Sequence, residues 1–408
     1  MPAPERLMQT ITLSPSDGVW RSAEGSIDVR LRFRVPVAMT ERIRVGLFGA
    51  GLIGQAVHAP HLADDHERFD FVVVADPSKT VRDSVAARHR VPNAVATLEE
   101  ALALGLDAVV IAVPDGAHRD AAVTALEAGV NVLIEKPLAE TVADCEDVLA
   151  ARGDRVCQVG YMKLYDPSVE RLAELLAGGS GDVVYVSVET NDPDFMPFVD
   201  HLGIVPARDV DPELIARTRA RSHAAVRAAL GAEPDRAAAR GLGSFLSSLV
   251  HDVSLAHHLL RAAGIQAPIP LADGAYWDEG RGVSLDWVLP DDGRAHLEHL
   301  NLNGVSDYRE RVTVYCREAI YELTFPSPYL RHFPTRFTVR RTGRSVTELE
   351  ETEVRVSYEE AFRNELRAFH DSVTTGAPVR STVEMARDDV AALIGAFQIA
   401  ARRRGGAD

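Results

Sequence analysis

The sequence predicts an α/β fold in two parts: a parallel sheet with helices on both faces, then an α+β domain built on a large, mostly antiparallel sheet. Three observations predict it. Strand and helix patterns alternate with short links from Ile43 to about Gly160, as in parallel sheets. Beyond that point, β-rich runs follow one another at hairpin spacing and end in two helices. A chain of 408 residues is also too long for one compact core.

Composition excludes several classes of partner. The chain is 46% hydrophobic and 25% charged, which is ordinary for a globular protein. A formal charge of −16 argues against nucleic acid and anionic membranes as partners. Cys145, Cys157 and Cys316 lie far apart and form neither a disulfide framework nor a zinc spacing. No apolar run approaches the roughly 18 residues of a membrane span. We therefore expect a cytoplasmic protein.

Residues 1–41 form an amino-terminal extension. Its first 25 residues are polar and lack the apolar core of a signal peptide. Residues 27–35, IDVRLRFRV, alternate apolar and charged side chains, which predicts a strand. This stretch is either an added edge strand or lies upstream of a true start at Met39. No function is assigned to it.

Residues 42–160 carry the alternating pattern of the parallel sheet. The predicted strands are IRVGLF, FDFVVVAD, a short run near Ala94–Ala96, DAVVIAV, NVLIE and VCQVG. Helices are predicted directly after the first strand, from Ser78 to His89, from about Gly116 to Ala128, and after Thr141.

The first strand leads into the pattern G-x-G-x-x-G at Gly49, Gly51 and Gly54. A strand before the pattern and a helix after it are the context of a dinucleotide-binding Rossmann domain. Gly49 permits the tight turn, Gly51 lets the backbone approach a pyrophosphate, and Gly54 lets helix and strand pack closely. Free N–H groups at the helix start, which includes Leu52 and Ile53, favour the phosphates.

Asp76 ends the second strand, 22 residues after Gly54. A carboxylate there binds the hydroxyls of the adenosine ribose and repels a 2′-phosphate, which favours NAD. Lys79 lies close by in the sequence and leaves NADP as the alternative cofactor.

Several motifs occur together in a familiar order. The stretches RVGLFGAGLIGQ, VVADP, IAVPDGAHRDAAVTALEAGVNVLIEKPLAET, VGYMKLYDP and HDVSLAHHLL resemble the glucose-fructose oxidoreductase/inositol dehydrogenase (Gfo/Idh/MocA) family over about residues 42–400. The resemblance implies a Rossmann domain followed by an α+β domain whose large sheet often forms the oligomer interface. Typical members oxidise a secondary alcohol of a sugar or cyclitol, or reduce the ketone, with NAD(P).

The second domain is expected to span residues 161–404. Its predicted strands are DVVYVSVET, GVSLDWVL, RAHLEHLNL, RVTVYCREAIYELTF and RFTVRR. Two helices, about 358–374 and 382–403, close the chain. Its exposed sheet face needs cover from helices or from another subunit.

Lys136 is the first catalytic candidate. It ends the NVLIE strand at the carboxyl edge of the parallel sheet, where such folds bind ligands. An ammonium there can hydrogen-bond the reacting oxygen of a carbinol while the hydride leaves for a nicotinamide. Glu135 either orders the loop or touches the ribose. The resemblance implies a cis bond before Pro137.

His251 is the second catalytic candidate. Residues 244–260, SFLSSLVHDVSLAHHLL, predict one helix with an apolar stripe and a face of hydroxyls and imidazoles. In the resembling family this helix carries Asp, three residues, then His, both facing the substrate. His251 matches the histidine, a general acid/base. Ser247 stands at the aspartate position and offers only a hydroxyl. Asp252 points elsewhere and is expected to be structural.

Metal binding is not expected. His251 and His258 lie two helical turns apart rather than one. His296 and His299 belong to a strand-like run and face opposite sides.

The resemblance implies further site residues. Val113, Pro114 and His118 follow the fourth strand and are expected near the cofactor. Tyr161 and Lys163 follow the sixth strand and are expected in the substrate pocket. A solvated lysine and satisfied surface histidines remain the alternatives for Lys163 and His251.

Residues 191–241 form an insertion relative to the family. It contains a predicted helix with Asp211 as N-cap, Pro212 as first residue and Gly231 as stop. The insertion is either a lid or pocket wall using Asp194, Asp200 or His201, or a packing element of an oligomer.

The sequence thus predicts an NAD(P)-dependent oxidoreductase acting on a sugar, cyclitol or related polyol, in a homodimer or homotetramer formed through the second sheet. Two alternatives remain at this point. One is a relative that uses held NAD for glycoside cleavage. The other is a cofactor-binding sensor without catalysis, because Ser247 replaces the expected aspartate.

Overall fold

A computed structural model describes residues 41–178, 182–231, 234–266 and 268–404. The predicted strand 27–35 and the start at Met39 lie outside these residues. Among the described helices, none is both long and apolar enough to span a membrane.

The first sheet is parallel throughout and has the order β3-β2-β1-β4-β5-β6. Its central strands are almost wholly apolar because helices cover both faces; β4 is buried at every residue. The strands are β1 (Ile43–Phe48), β2 (Phe69–Ala75), β3 (Asn93–Val95), β4 (Ala108–Ile111), β5 (Asn131–Glu135) and β6 (Cys157–Gly160).

Three of the helices between these strands begin at side-chain caps. Ser78, Thr97 and Thr141 each accept a hydrogen bond from a backbone N–H of the first helical turn. A π-helical turn, Gly54–His58, precedes the first helix. The helices are α1 (Ala59–Asp64), α2 (Lys79–His89), α3 (Leu98–Leu102), α4 (His118–Glu127) and α5 (Val142–Arg152).

The second sheet has the order β14-β13-β12-β11-β7-β10-β9-β8 and is antiparallel except where β7 pairs with β10. One face is buried and the other half-exposed, so the strands alternate apolar and polar residues. The strands are β7 (Val183–Asn191), β8 (Leu271–Trp277), β9 (Gly282–Val288), β10 (Arg294–Leu300), β11 (Arg309–Cys316), β12 (Ile320–Phe325), β13 (Arg336–Thr342) and β14 (Leu349–Val354).

Helices cover the buried face: α10 packs on β7, and α12 packs on β8 and β9. The predicted insertion helix is confirmed with its cap, because the Asp211 carboxylate accepts from Glu213 N at 2.9 Å. The helices are α6 (Pro167–Ala177), α7 (Met196–Val199), α8 (Pro212–Leu230), α9 (Arg236–Phe245), α10 (Val250–Ala262), α11 (Ala361–Thr375) and α12 (Val383–Arg404).

The predicted single helix over residues 244–260 is wrong in one respect. Helix α9 ends at Phe245 and α10 begins at Val250, with turns between them. In this break His251 N donates to Ser248 O at 3.1 Å. In a regular α-helix it would donate to Ser247 O instead, so that oxygen does not receive its usual helical hydrogen bond. The apolar stripe continues across the break, and periodicity alone therefore does not reveal it.

Candidate functional site

The glycine-rich turn has the shape of a phosphate cradle. Gly49 has φ +89°, and a Cβ there would lie 2.5 Å from the carbonyl carbon of Ala112. A Cβ on Gly54 would lie 2.5 Å from Gly49 O, whereas a Cβ on Gly51 would meet nothing within 4 Å. The strand-to-helix turn thus needs Gly49 and Gly54, while Gly51 borders open space that a pyrophosphate fits.

Asp76 lies at the other end of this cradle. Its carboxylate accepts hydrogen bonds from Ala50 N and Ser78 N, each at 2.8 Å. Burial raises the pKa of Asp76 above its ordinary value, although these two bonds oppose the shift. Lys79 instead pairs with Asp83 on the solvent side of α2, and its side chain is 73% exposed.

A cavity of about 590 Å³ extends from the glycine turn to the end of β5. The predicted cofactor residues line it together. They are Gly49, Gly51, Leu52, Ile53, Asp76, Pro114, His118, Glu135 and Lys136. Gly54 shapes the turn beneath them.

The insertion forms a wall of this cavity. Residues Ala207, Val210, Leu214, Ile215, Thr218 and Arg219 line it. Gln55 holds the wall with two backbone bonds, donating to Val205 O at 3.0 Å and accepting from Val205 N at 2.8 Å. Asp209 accepts from Thr80 N at 3.0 Å and from the Ser78 hydroxyl.

The predicted lid residues have other positions. Asp194 caps a backbone N–H at Met196, 2.9 Å away, and neither it nor Asp200 nor His201 lines the cofactor cavity. The insertion reaches this cavity through the residues named above, which are mostly apolar but include Thr218 and Arg219.

Lys136 projects from the carboxyl end of β5 and is followed by the cis Lys136–Pro137 bond that the resemblance implies. Its Nζ donates to the carbonyl oxygen of Ser247 at 2.7 Å. That oxygen is accessible to Lys136 because the helix is broken at residues 246–249. The break therefore positions the ammonium at the junction of the two domains.

Glu135 orders the loop rather than lying open to solvent. Its carboxylate accepts from His58 Nε2 at 2.7 Å and from Lys136 N at 3.3 Å. Burial opposes ionisation, but the hydrogen bond and positive charge from His58 outweigh it and lower the pKa of Glu135. His118 joins the same region, since its ring nitrogens lie 2.6 Å from Pro137 O and 2.8 Å from Val113 O.

A second, smaller cavity of about 160 Å³ adjoins the first. The two share Ile53, Glu135 and Lys136. Lys136 and His251, predicted to converge from different domains, both line the smaller cavity, which we call the substrate cavity. Its polar lining residues are Glu135, Lys136, Lys163, Thr190, Asp192, Ser247, Ser248, His251, His299, Tyr308, Ser327 and Tyr329.

Several buried polar atoms of this lining have no hydrogen-bond partner among the described residues. They are Thr190 Oγ1, His251 Nδ1, His299 Nε2 and Ser327 Oγ. Buried polar atoms are nearly always satisfied in native proteins, so a group of them around one cavity indicates a polar ligand.

The imidazole of His251 is neutral near pH 7. Burial, assisted by the charges of Lys136 and Lys163, holds the pKa of His251 well below its ordinary value. Tyr161 is fully buried and packs edge-to-face on His251, with ring centroids 6.1 Å apart. Tyr161 does not line the substrate cavity, so the predicted substrate contact becomes a packing contact.

Lys163 lines the substrate cavity but is not a free charge. Its Nζ lies 2.6 Å from Glu310 Oε1 and 3.3 Å from Asp252 Oδ1, and all three side chains are buried. Burial alone would lower the pKa of Lys163, but the two carboxylates outweigh it and raise that pKa. The structural role predicted for Asp252 agrees with this ion-pair cluster.

Ser247 lines the substrate cavity, and its hydroxyl donates to the carboxylate of Asp115, which follows β4. A carboxylate is therefore present beside position 247, but it comes from the first domain. Sequence reasoning missed Asp115, Thr190, Asp192 and His299. Asp115 lies inside the VPDGAH motif, so its position after β4 was a usable signal; the others depend on strand register.

Metal ligands do not cluster: within the part of the chain that the structure describes, no group of His, Cys, Asp and Glu side chains fits a metal ion.

The parallel sheet, glycine turn and paired cavities define a dinucleotide-binding protein with a Rossmann domain and a second, sheet-based domain. Residues 43–161 match the family described as "Oxidoreductase family, NAD-binding Rossmann fold". This match covers the Rossmann domain, where the chain is similar to members of the Gfo/Idh/MocA family.

The individual curated relatives are similar to only part of this chain. Inositol 2-dehydrogenase 1 of Saccharopolyspora erythraea is 40% identical over 155 residues, which cover 35% of this chain and 44% of that protein. The chain spans about half, or less, of the length of the curated relatives it matches.

Two solved structures share the fold. UDP-N-acetylglucosamine 3-dehydrogenase from Acidithiobacillus ferrooxidans has a TM-score of 0.64 at 18% identity, covering 88% of this chain and 98% of that one. A 3-ketoreductase from Actinomadura kijaniata, in complex with NADP and TDP-benzene, has a TM-score of 0.66 at 17% identity with the same coverage. At these identities the likeness shows the fold alone.

Proposed function

We propose that this protein is an NAD-dependent oxidoreductase that acts on the secondary alcohol, or the matching ketone, of a cyclitol, sugar or related polyol. The observation that carries the proposal is the junction of the two cavities at Lys136. A dinucleotide cavity and a small cavity with unpartnered polar atoms meet at one ammonium group.

In the proposed reaction each residue of the site has its own role. Lys136 donates a hydrogen bond to the reacting oxygen and stabilises negative charge on it. His251 presents a neutral imidazole to the same cavity. The bound nicotinamide would supply the acceptor for the hydride during oxidation. Ser247, whose hydroxyl is bound to Asp115, lines the substrate cavity beside Lys136.

NAD fits this cavity better than NADP. The Asp76 carboxylate lies where the adenosine ribose is held in Rossmann domains, and it repels a 2′-phosphate. Lys79, whose place near Asp76 in the sequence left NADP as the alternative cofactor, points to solvent and pairs with Asp83. We therefore propose NAD as the working cofactor.

A neutral polyol fits the substrate cavity better than a phosphorylated sugar. The buried Lys163 ammonium is already bound by two carboxylates. Asp192 adds a further carboxyl group to the lining, and burial raises its pKa. Apart from Lys136 and Glu135, the remaining polar side chains of the lining are hydroxyls and imidazoles, which suit hydroxyl groups of a ligand.

The test is NADH formation, followed at 340 nm, with a panel of cyclitols and free sugars. We expect steady NADH production with at least one member. Lys136→Met should lower kcat/KM at least 100-fold, whereas Lys79→Met, at an exposed lysine, should leave it within about twofold. Turnover without accumulation of NADH, or equal activity of both variants, would contradict the proposal.

We further propose that the protein assembles through the half-exposed face of its second sheet. Tyr185 and Tyr315 lie side by side on that face, with ring centroids 5.6 Å apart. Light scattering should give a dimer or tetramer, and Tyr315→Asp should shift it toward monomer. A wild-type monomer would contradict this.

Three unpaired, buried cysteines support a cytoplasmic location.

A further inference from the structure

A second imidazole, outside the predicted pair, lies at the substrate cavity. His299 Nδ1 lies 2.7 Å from Asp252 Oδ2, and both side chains are at most 2% exposed. A neutral imidazole donates from one nitrogen and accepts at the other. The carboxylate therefore holds the proton on Nδ1 and leaves the Nε2 lone pair free. We call this pair the Asp252–His299 dyad.

The free nitrogen of the dyad has no partner in the described protein. His299 Nε2 is buried and unpaired, and His299 lines the substrate cavity. Thr190, its neighbour across the β7–β10 pairing, lines the same cavity with an unpaired hydroxyl. The ring of Phe245 packs edge-to-face on His299, 5.2 Å away, and fixes its orientation. This geometry leaves Nε2 available to a ligand.

His251 lacks such a partner. Its Nδ1 has no hydrogen bond within the described ranges. Ser247, one turn earlier, offers its hydroxyl to Asp115 rather than to His251. A general base needs a partner that orients it and stabilises the imidazolium it becomes. Of the two imidazoles, only His299 has such a partner among the residues that the structure describes.

We propose that His299, oriented by Asp252, is the proton acceptor for the substrate hydroxyl, while Lys136 hydrogen-bonds the same oxygen. This inference rests on the proposed function. The carbinol C–H hydrogen leaves with both bonding electrons for the oxidised nicotinamide. The O–H bond breaks, its proton moves to His299 Nε2, and its electron pair forms the C=O bond. Asp252 is a positioning residue.

The charges around the dyad come from several elements. They are Glu135, Lys136, Lys163, Asp192, His251, Asp252 and Glu310, with the phenols of Tyr308 and Tyr329. Lys163 bridges Asp252 and Glu310, so the dyad carboxylate is held by a cation on one side and an imidazole on the other. Burial disfavours the Asp252 carboxylate, but Lys163 and His299 outweigh it and lower the pKa of Asp252.

The chain supplies a matched control on the same strand. His296 also pairs with a carboxylate, since its Nδ1 lies 2.9 Å from Asp286 Oδ1, but it faces the opposite side of the sheet. His299→Asn keeps a donor for Asp252 and removes the nitrogen at the cavity. His296→Asn makes the same change outside the cavity.

The experiment measures kcat/KM against pH for wild type and both variants, with NADH affinity from fluorescence titration as the folding check. We expect His299→Asn to lower kcat/KM at least 100-fold, to remove the acid-side limb of the profile, and to leave NADH affinity within twofold. His296→Asn should match wild type. Asp252→Asn should move the acid limb to lower pH, because it removes a neighbouring negative charge.

The outcomes separate the two proposals. An active wild type with an equally active His299→Asn variant would overturn the dyad's role alone. Equal losses in His299→Asn and His296→Asn would also overturn it, since the loss would then be structural. If His299→Asn fails to bind NADH, an unmoved acid limb in Asp252→Asn overturns it. A wild type that neither reduces NAD with the panel nor binds any polyol overturns the proposed function and the dyad with it.

Discussion

The hydroxyl of Ser247 donates a hydrogen bond to the carboxylate of Asp115, and this bond joins the break before α10 to the loop after β4. It connects the substrate-binding half of the site to the dinucleotide-binding half. The position that holds an aspartate in the resembling family thus keeps a carboxylate beside it, supplied by a different element.

Removing this bond should weaken the coupling between the two parts of the site. Ser247→Ala and Asp115→Ala should each lower the free energy of unfolding by about 2 kcal/mol, the usual contribution of a hydrogen bond to a charged group. A double-mutant cycle by urea unfolding should show that the two losses are not additive. Additive losses would mean that the residues act independently.

Cofactor choice should depend on Asp76. Asp76→Asn keeps a side-chain acceptor near Ala50 N but removes the charge. We expect NADH to bind about tenfold more weakly and NADPH to bind better than in wild type, because the repulsion of a 2′-phosphate is gone. Fluorescence titration with both reduced cofactors measures this. Lys79→Ala serves as the control, and a loss of NADPH binding there would contradict the assignment.

The wall formed by the insertion should slow release of the cofactor. Asp209 fixes the wall to the start of α2, and its bonds with Ser78 and Thr80 lower its pKa to about 2. Asp209→Ala should raise the dissociation rate of NADH several-fold, measured by stopped-flow displacement. Asp83→Ala, at an exposed carboxylate on the same helix, should have no effect; equal effects from both would refute the wall's role.

Stability should depend on pH through Glu140. Burial, reinforced by the charges of Asp115 and Asp144, raises the pKa of Glu140 from 4.5 to about 7, although Ser222 opposes this. Between these values the folded protein holds a proton that the unfolded chain releases. Stability from this group is therefore present below pH 4.5 and is lost as pH rises to about 7.

Urea unfolding of Glu140→Gln at several pH values checks this. The variant should gain stability over wild type progressively from pH 5 to pH 7 and keep a constant advantage above that. Glu127→Gln, at an exposed glutamate of α4, should show no such trend. A pH-independent difference for Glu140→Gln would contradict the raised pKa.

The sequence predicted the elements whose signals are local. The strands of the first sheet, the glycine turn and the caps of α2, α5 and α8 follow from periodicity and single-residue chemistry. The acidic edge strand β14 was not found, because its residues are mostly exposed and have no apolar pattern.

The missing parts of the site depend on distant residues. The apolar stripe continues through the break before α10. The sequence pattern therefore does not reveal the break, and the packed structure does. The Asp252–His299 dyad joins a helix to a strand 47 positions later, and no local pattern encodes that register. Likewise, Tyr161 was expected at the ligand because it follows a strand, but tertiary packing places it behind His251.

The contact of Lys136 with the backbone has a consequence for substitutions at position 247. Because the ammonium is anchored by a main-chain oxygen at residue 247, the side chain there is not needed to hold it. We therefore expect that varying the side chain at position 247 leaves the Lys136 ammonium bound to the same main-chain oxygen.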